Sequence, residues 1–298
     1  MSPSLSRRRV RPGAGPTAGH LAGHTAGTAA LAAGMPDGLR PVALLSHGRR
    51  LDTWDAWDEE RRTRVVVKVA RAERRAEPAV REALLREGEV VTTLAHPHLV
   101  RGYAVHEDPP AVVLETLRGA TLAAVIEDGT LDLADVAELG LQLTSVLGHL
   151  HHHDWLHLDV KPANVVVDHG RAVLIDLSLA GRPGPGRAGA GTRGYLAPEQ
   201  ARGRDLTAAT DVWGLGVTLI EAFTDDVPYG DEATWDTGRR WPLVHRRMPT
   251  VPGGLDVVPP EVRDLLAACV DLDPAARPRL VDVRAVLVGL VDDPPPFG

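Results

Sequence analysis

The stretch His157-Leu158-Asp159-Val160-Lys161-Pro162-Ala163-Asn164, with Val165-Val166-Val167 behind it, constrains this chain more than any other. It sets a carboxylate, an ammonium and a carboxamide in one short loop. The β-branched run that follows reads as a strand. Asp168-His169-Gly170 reads as a turn, and Ala172 to Ile175 as a second strand ending at Asp176. Asn164 and Asp176 lie equally far from Gly170 in sequence. A hairpin centred there brings them together at its open end, beside a second carboxylate, Asp159. Such a set of hard oxygen donors suits Mg²⁺ and phosphate.

Composition sharpens this reading. The chain carries 33 basic residues, of which Lys68 and Lys161 are the two lysines, and Asn164 is its one asparagine. Where arginine has so widely replaced lysine, the survivors mark places where arginine fails. Lysine is a compact point charge that the planar guanidinium does not mimic at a phosphate site.

At 298 residues the chain can bury a large core and form one or two domains. Its 44% hydrophobic and 24% charged residues fit a globular protein. A net charge of −7 offers no broad basic surface for nucleic acid or anionic membrane. Cys269 alone permits no intramolecular disulfide, which fits a reducing cytoplasm. No apolar run approaches the roughly 20 residues that span a bilayer. Residues 1–38 read as a disordered arm, because Arg7-Arg8-Arg9 is followed by Gly, Ala, Thr and His without a periodic apolar face.

Residues 41 to 69 read as strands. Pro41 to Leu45 is apolar, Trp54 to Trp57 alternates with acids, and Val65-Val66-Val67-Lys68-Val69 is a β-branched run around a lysine. A lysine in a buried strand is costly unless paired. Pro78 opens a helical stretch reaching Leu94, with Val80, Leu84, Val91 and Leu94 on one face. Glu87 falls on that same apolar stripe and is the expected partner of Lys68. Leu139, Leu143, Val146, Leu147 and Leu150 form another apolar face leading into the central loop. Asp211 to Phe223 is apolar almost all round, as in a helix at the middle of a domain. The histidines at 149, 151, 152 and 153 lack further ligands at zinc spacing and read as a solvated helix end.

Val65 to Lys68, Glu87, His157 to Asn164, Asp176 and Ala197-Pro198-Glu199 together resemble the eukaryotic-like serine/threonine protein kinases of bacteria, over roughly residues 40 to 290. The resemblance implies an α+β, two-lobed fold. A small β-rich lobe (39–117) precedes a larger helical one (118–292), with ATP between them and a tail at 293–298. Carried over, Lys68 contacts the α- and β-phosphates and pairs with Glu87. Asp159 is the catalytic carboxylate, Lys161 steadies the γ-phosphate, and Asn164 and Asp176 hold Mg²⁺. Leu114 faces the adenine, with backbone groups of Glu115 and Leu117 bonded to it. Gly48 belongs to the phosphate-covering loop. Asp211 resembles the aspartate that ties down the catalytic loop, and an N-cap role is a rival reading. Glu199 and Arg277 resemble the buried pair that fixes the end of the activation segment. The implied activity is transfer of phosphate from ATP to Ser or Thr of a protein substrate, without nucleic acid or a membrane span. Lys161 and Gly191-Thr192 resemble the Ser/Thr branch rather than the tyrosine branch.

Three departures from the family pattern stand out. The glycine-rich loop, aligned from Leu45 to Thr53, keeps Gly48 alone of three glycines and has Leu51 at the last. The metal motif reads Asp176-Leu177-Ser178, where Phe and Gly are usual, and Ser restricts the backbone more than Gly. Leu158 stands where arginine is usual, and the loop from Leu179 to Gly191 has no hydroxyl, so activation-loop phosphorylation is not expected to be needed. A pseudokinase scaffold is the alternative these departures leave open. A small-molecule phosphotransferase is the weaker third, because Ala197-Pro198-Glu199 and Asp211-Val212-Trp213-Gly214 resemble protein kinases.

Overall fold

The computed structural model describes residues 34–228, 255 and 258–291. Residues 1–33 of the expected arm and the tail at 293–298 lie outside the described residues. The chain divides into two compact units, the first ending at Arg118 and the second beginning at Gly119.

In the first unit, β1 (Leu39–His47), β2 (Leu51–Asp58) and β3 (Thr63–Ala70) precede helix α1 (Pro78–Thr93), and β4 (Gly102–Glu107) and β5 (Pro110–Glu115) follow it. The strands form one antiparallel sheet in the order β1-β2-β3-β5-β4. Alternation sends Trp54 and Ala56 of β2, Val65, Val67 and Val69 of β3, and Ala111 and Val113 of β5 into one core. Each fully buried valine contributes roughly 1.5–3 kcal/mol. Helix α1 buries Val80, Leu84, Val90 and Val91, as its periodicity requires, and Leu94 is its C-cap rather than its last turn. A Cβ on Gly88 would meet Val105 Cγ2 at 2.6 Å, so the helix sits close to the sheet only because this residue has no side chain. The apolar run Pro41 to Leu45 is a strand but not a core strand. β1 is an edge, pairs on one side, shifts register twice, and leaves Val42 and Leu45 more than half exposed.

The second unit opens with β6 (Ala120–Thr121), α2 (Leu122–Glu127) and α3 (Leu133–His152). A 3₁₀ turn, Pro162–Asn164, leads into β7 (Val165–Asp168) and β8 (Arg171–Leu174), which join β6 in a three-stranded sheet. Then come β9 (Gly184–Pro185), α4 (Pro198–Arg202), β10 (Asp205–Leu206), α5 (Ala208–Thr224), α6 (Pro260–Cys269) and α7 (Leu280–Val288). Helix α5 is buried on nearly every side, and α3 packs against α5 and α7. The five leucines and valines that sequence periodicity placed on one face of α3 are all fully buried. Among the described residues no helix is long and apolar enough to cross a membrane.

Candidate active site

Strand β3 delivers Lys68 at the position paired with Thr53 on one side and Val112 on the other. Helix α1 delivers Glu87, which is fully buried, and Lys68 Nζ donates to Glu87 Oε1 at 2.6 Å. The expected pair is therefore present, with both charges out of water, where each is tolerable because the other is there.

The segment expected to cover the phosphates has a shape the sequence did not disclose. β1 and β2 are joined by a tight turn at Gly48-Arg49-Arg50. The Gly48 N–H donates to the Leu51 carbonyl at 2.9 Å, and the Gly48 carbonyl accepts from Arg71 Nη1 at 3.2 Å. Arg71 also donates its backbone N–H to the Arg50 carbonyl at 3.0 Å. A Cβ at Gly48 would lie 2.7 Å from Leu51 O, so the turn itself demands this glycine. At the end of β5, Leu114 is buried, and the Glu115 N–H donates to the Arg101 carbonyl at 2.9 Å. That N–H is occupied, so the backbone group Glu115 has for a ligand is its carbonyl. Leu117 follows in irregular, half-buried backbone.

In the second unit the loop after α3 is held from below. Asp211, fully buried in the first turn of α5, accepts the N–H of His157 at 2.9 Å and of Leu158 at 2.7 Å, and bonds His151 Nε2 at 2.8 Å. Burial alone pushes its carboxyl up, but the His151 bond and charge, His157 and the Leu158 N–H hold it below the usual carboxylate range. The helix cap is Thr207 and not Asp211, so tethering the loop is what Asp211 does. His157 accepts the Asp159 N–H on Nδ1 at 3.3 Å and so presents Nε2–H to the Ile175 carbonyl at 3.1 Å. His151, read from sequence as part of a solvated cluster, is thus a structural partner of Asp211.

Asp159, 8% exposed, is the meeting point. Lys161 Nζ donates to its Oδ2 at 2.6 Å, and Asn164 Nδ2 donates to Oδ2 at 3.0 Å and to its carbonyl at 2.9 Å. Thr192 donates its N–H and hydroxyl to Oδ1 at 3.1 and 2.8 Å, and Lys161 also bonds the Thr192 hydroxyl. The resemblance placed Thr192 with Lys161 as marking the Ser/Thr branch; its direct bond to the Asp159 carboxylate, 33 residues away, had no local sequence signal.

The hairpin behind the loop corrects the expected register by one residue. His169 and Gly170 both have positive φ (52° and 84°) and form a two-residue turn. Val165 therefore opposes Leu174, and the Ile175 N–H donates to the Asn164 carbonyl at 2.9 Å. Asn164 thus faces Ile175, and Asp176 comes one residue beyond. Asp176 sits half-buried at φ 61°, a left-handed conformation rare for a residue with a side chain and common at functional sites. Leu177 is fully buried and fills the slot after it. Ser178 is not among the residues of positive φ, so the serine expected to restrict the backbone carries no strain here.

The Asn164 amide nitrogen is spent on Asp159, which leaves its carboxamide oxygen as the donor the side chain could offer a cation. No three His, Cys, Asp or Glu side chains form a metal cage among the described residues. One carboxylate and one carboxamide oxygen, completed by phosphate and water, is the donor set Mg²⁺ prefers.

The segment after Asp176 is pinned at several points. Leu156 and Gly181 exchange backbone hydrogen bonds at 2.8 and 3.1 Å. Arg182 lies 4.0 Å over the Trp155 ring and donates to the His153 carbonyl at 2.8 Å. Gln200 Nε2 donates to the Leu158 carbonyl at 2.9 Å. Glu199 and Arg277 form the expected pair in two-pronged geometry, 2.7 and 2.9 Å, both buried.

Residues 47–286 match the protein kinase domain family. Serine/threonine-protein kinase PkaA of Streptomyces coelicolor is 30% identical over 226 residues, covering 72% of this chain and 40% of the relative. PknB of Mycobacterium leprae is 32% identical over 179 residues, 55% of this chain and 29% of that protein. PknA of Mycobacterium tuberculosis is 28% identical over 253 residues, 79% and 57% of the two chains. The chain therefore spans less than two thirds of the length of each of these relatives.

Proposed function

The chain belongs to the protein kinase domain family, and from that premise we propose that it transfers the γ-phosphoryl group of ATP to serine or threonine hydroxyls of proteins. The observation that carries the proposal is Asp159, a buried carboxylate fixed by Lys161, Asn164 and Thr192. Phosphoryl transfer asks for positioning and charge neutralisation rather than for covalent chemistry. In this reading Asp159 orients the acceptor hydroxyl and takes its proton, and Lys161 steadies the γ-phosphate. Lys68, set by Glu87, holds the α- and β-phosphates. The Glu115 carbonyl and the Leu117 N–H bond the adenine, and Leu114 borders it. Gly48 gives its turn the closeness it needs. Asn164 and Asp176 hold Mg²⁺, which when bound spreads neutralising charge over the phosphate oxygens. The names of the relatives support the Ser/Thr choice, as does the contact between Lys161 and Thr192.

The reading includes a reducing, cytoplasmic setting. Cys269 is fully buried and its thiol is pushed up to about 12 by burial, against the opposing effect of Arg277, so it is an inert core residue.

Incubation with labelled ATP and a protein carrying Ser, Thr and Tyr acceptors tests the proposal. The label is expected on Ser and Thr. Asp159→Asn lowers transfer by roughly 10²–10⁴-fold with the ATP affinity kept. Label on tyrosine, or undiminished transfer in that variant, contradicts the assignment.

A further inference from the structure

The segment from Leu177 to Arg204 carries five arginines, at 182, 187, 193, 202 and 204, against one acid, Glu199. Its net charge is +4 in a chain of net charge −7. Glu199 does not offset this at the surface, because it is 4% exposed and both its oxygens are held by Arg277. Arg182, itself exposed, lies over the Trp155 ring and donates to the His153 carbonyl. Arg187, Arg193, Arg202 and Arg204 are all exposed.

Three of these four come together because the segment doubles back on itself. The Gly186 N–H donates to the Arg204 carbonyl at 3.0 Å, the Gly189 N–H donates to the Gln200 carbonyl at 2.9 Å, and β9 pairs with β10. Gly203 lies so close to Ala188 that a Cβ on it would stand 2.8 Å from the Ala188 nitrogen. Arg187 is thereby brought beside Arg202 and Arg204. Those two also line one hollow with Glu199, Asp205, Leu272 and Pro274, and Asp205 is the single exposed acid of that lining. Arg193 follows Thr192, whose hydroxyl and N–H are on Asp159. One charge thus follows directly in sequence on the residue bonded to Asp159, and three more lie along the same segment.

We propose that this segment selects protein substrates whose acceptor Ser or Thr is flanked by Asp or Glu. The inference rests on the kinase reading above and adds the substrate class to it. A cluster of one sign in a molecule of the other sign attracts complementary chains and repels like ones. Guanidinium groups are suited to carboxylates because they offer two parallel N–H donors.

The test uses two peptides with the same Ser acceptor, one flanked by Glu and one by Arg. For the whole chain, kcat/KM with the Glu peptide is expected to exceed that with the Arg peptide by about tenfold or more. The margin shrinks as salt is raised, because exposed charges are screened. In Arg187→Glu/Arg204→Glu the preference falls away or inverts, with a melting curve to show that the variant is folded. Arg187→Glu alone, on an exposed loop residue, gives the same direction in smaller measure. Fluorescence anisotropy of the labelled peptides reads the surface without any transfer. Tight Glu-peptide binding without transfer would sink the kinase reading and keep the surface. Equal binding and equal transfer for the two peptides, a preference for the Arg peptide, or a preference unmoved by both variants overturns the proposal.

Discussion

The turn at Gly48 and the loop from His157 to Asn164 treat their polar groups in opposite ways. At Gly48 the N–H and the carbonyl are both bonded within the protein, to Leu51 and to Arg71. In the later loop the side chains of Lys161, Asn164 and Thr192 converge on Asp159, and the loop's backbone is carried by Asp211 beneath it. One segment has closed upon itself; the other keeps its chemical groups aimed at a common point. On the proposed function, the grip on the nucleotide and the competence to transfer phosphate are therefore set by separate parts of the chain. The first has been relaxed and the second retained. A scaffold that never transferred phosphate would have no use for Lys68 and Asn164 in a chain with two lysines and one asparagine.

The largest expected effect breaks the retained half. Lys68→Met is expected to lower transfer by roughly 10²–10³-fold, as loss of a positioned charge at a reacting phosphate does. It also leaves buried Glu87 without its cation, at a cost of about 3–5 kcal/mol. Adding Glu87→Gln recovers much of that stability in a denaturant melt and none of the activity. Transfer that survives Lys68→Met contradicts the role given to the pair.

A smaller effect sharpens the relaxed half. Leu51→Gly opens the approach of backbone to phosphate and is expected to lower the KM for ATP about tenfold, the value of one recovered charge-assisted hydrogen bond, with kcat unchanged. An unchanged KM assigns the weakness to the turn at Gly48 rather than to Leu51.

The smallest expected effect is none. The Leu156–Gly181 bridge, the Arg182–Trp155 stack and the Gln200–Leu158 bond hold the segment that a phosphate organises elsewhere. Leu158 cannot receive such a phosphate. Treating active protein with a phosphatase leaves its rate where it was. A stoichiometric phosphate on Ser178 or Thr192, found by mass spectrometry and required for activity, refutes this.

Much of this was legible because local periodicity carries long-range meaning. Glu87 on the apolar stripe of α1 announced a buried cation, and a scarce lysine in a β-branched run supplied it. The bidentate Glu199–Arg277 pair and the tether at Asp211 were legible from the resemblance alone. What escaped depends on single dihedral angles or on distant partners. His169 adopts positive φ and shortens the turn, which moves Asn164 opposite Ile175. Thr192 meets Asp159 and His151 meets Asp211 across 33 and 60 residues, with nothing local to mark either. The exposure of β1 follows from its place at the sheet edge, which an apolar run does not reveal.

Titrating ATP with and without Mg²⁺, while following both binding and phosphate transfer to a Ser/Thr substrate, tests the central claim most directly. The account predicts Mg²⁺-dependent transfer that needs high ATP, because the retained loop works and the relaxed turn grips poorly. It predicts that Asp159→Asn binds ATP as the unaltered chain does and transfers roughly 10²–10⁴-fold more slowly. Absence of Mg²⁺-dependent binding together with absence of transfer at millimolar ATP would contradict it.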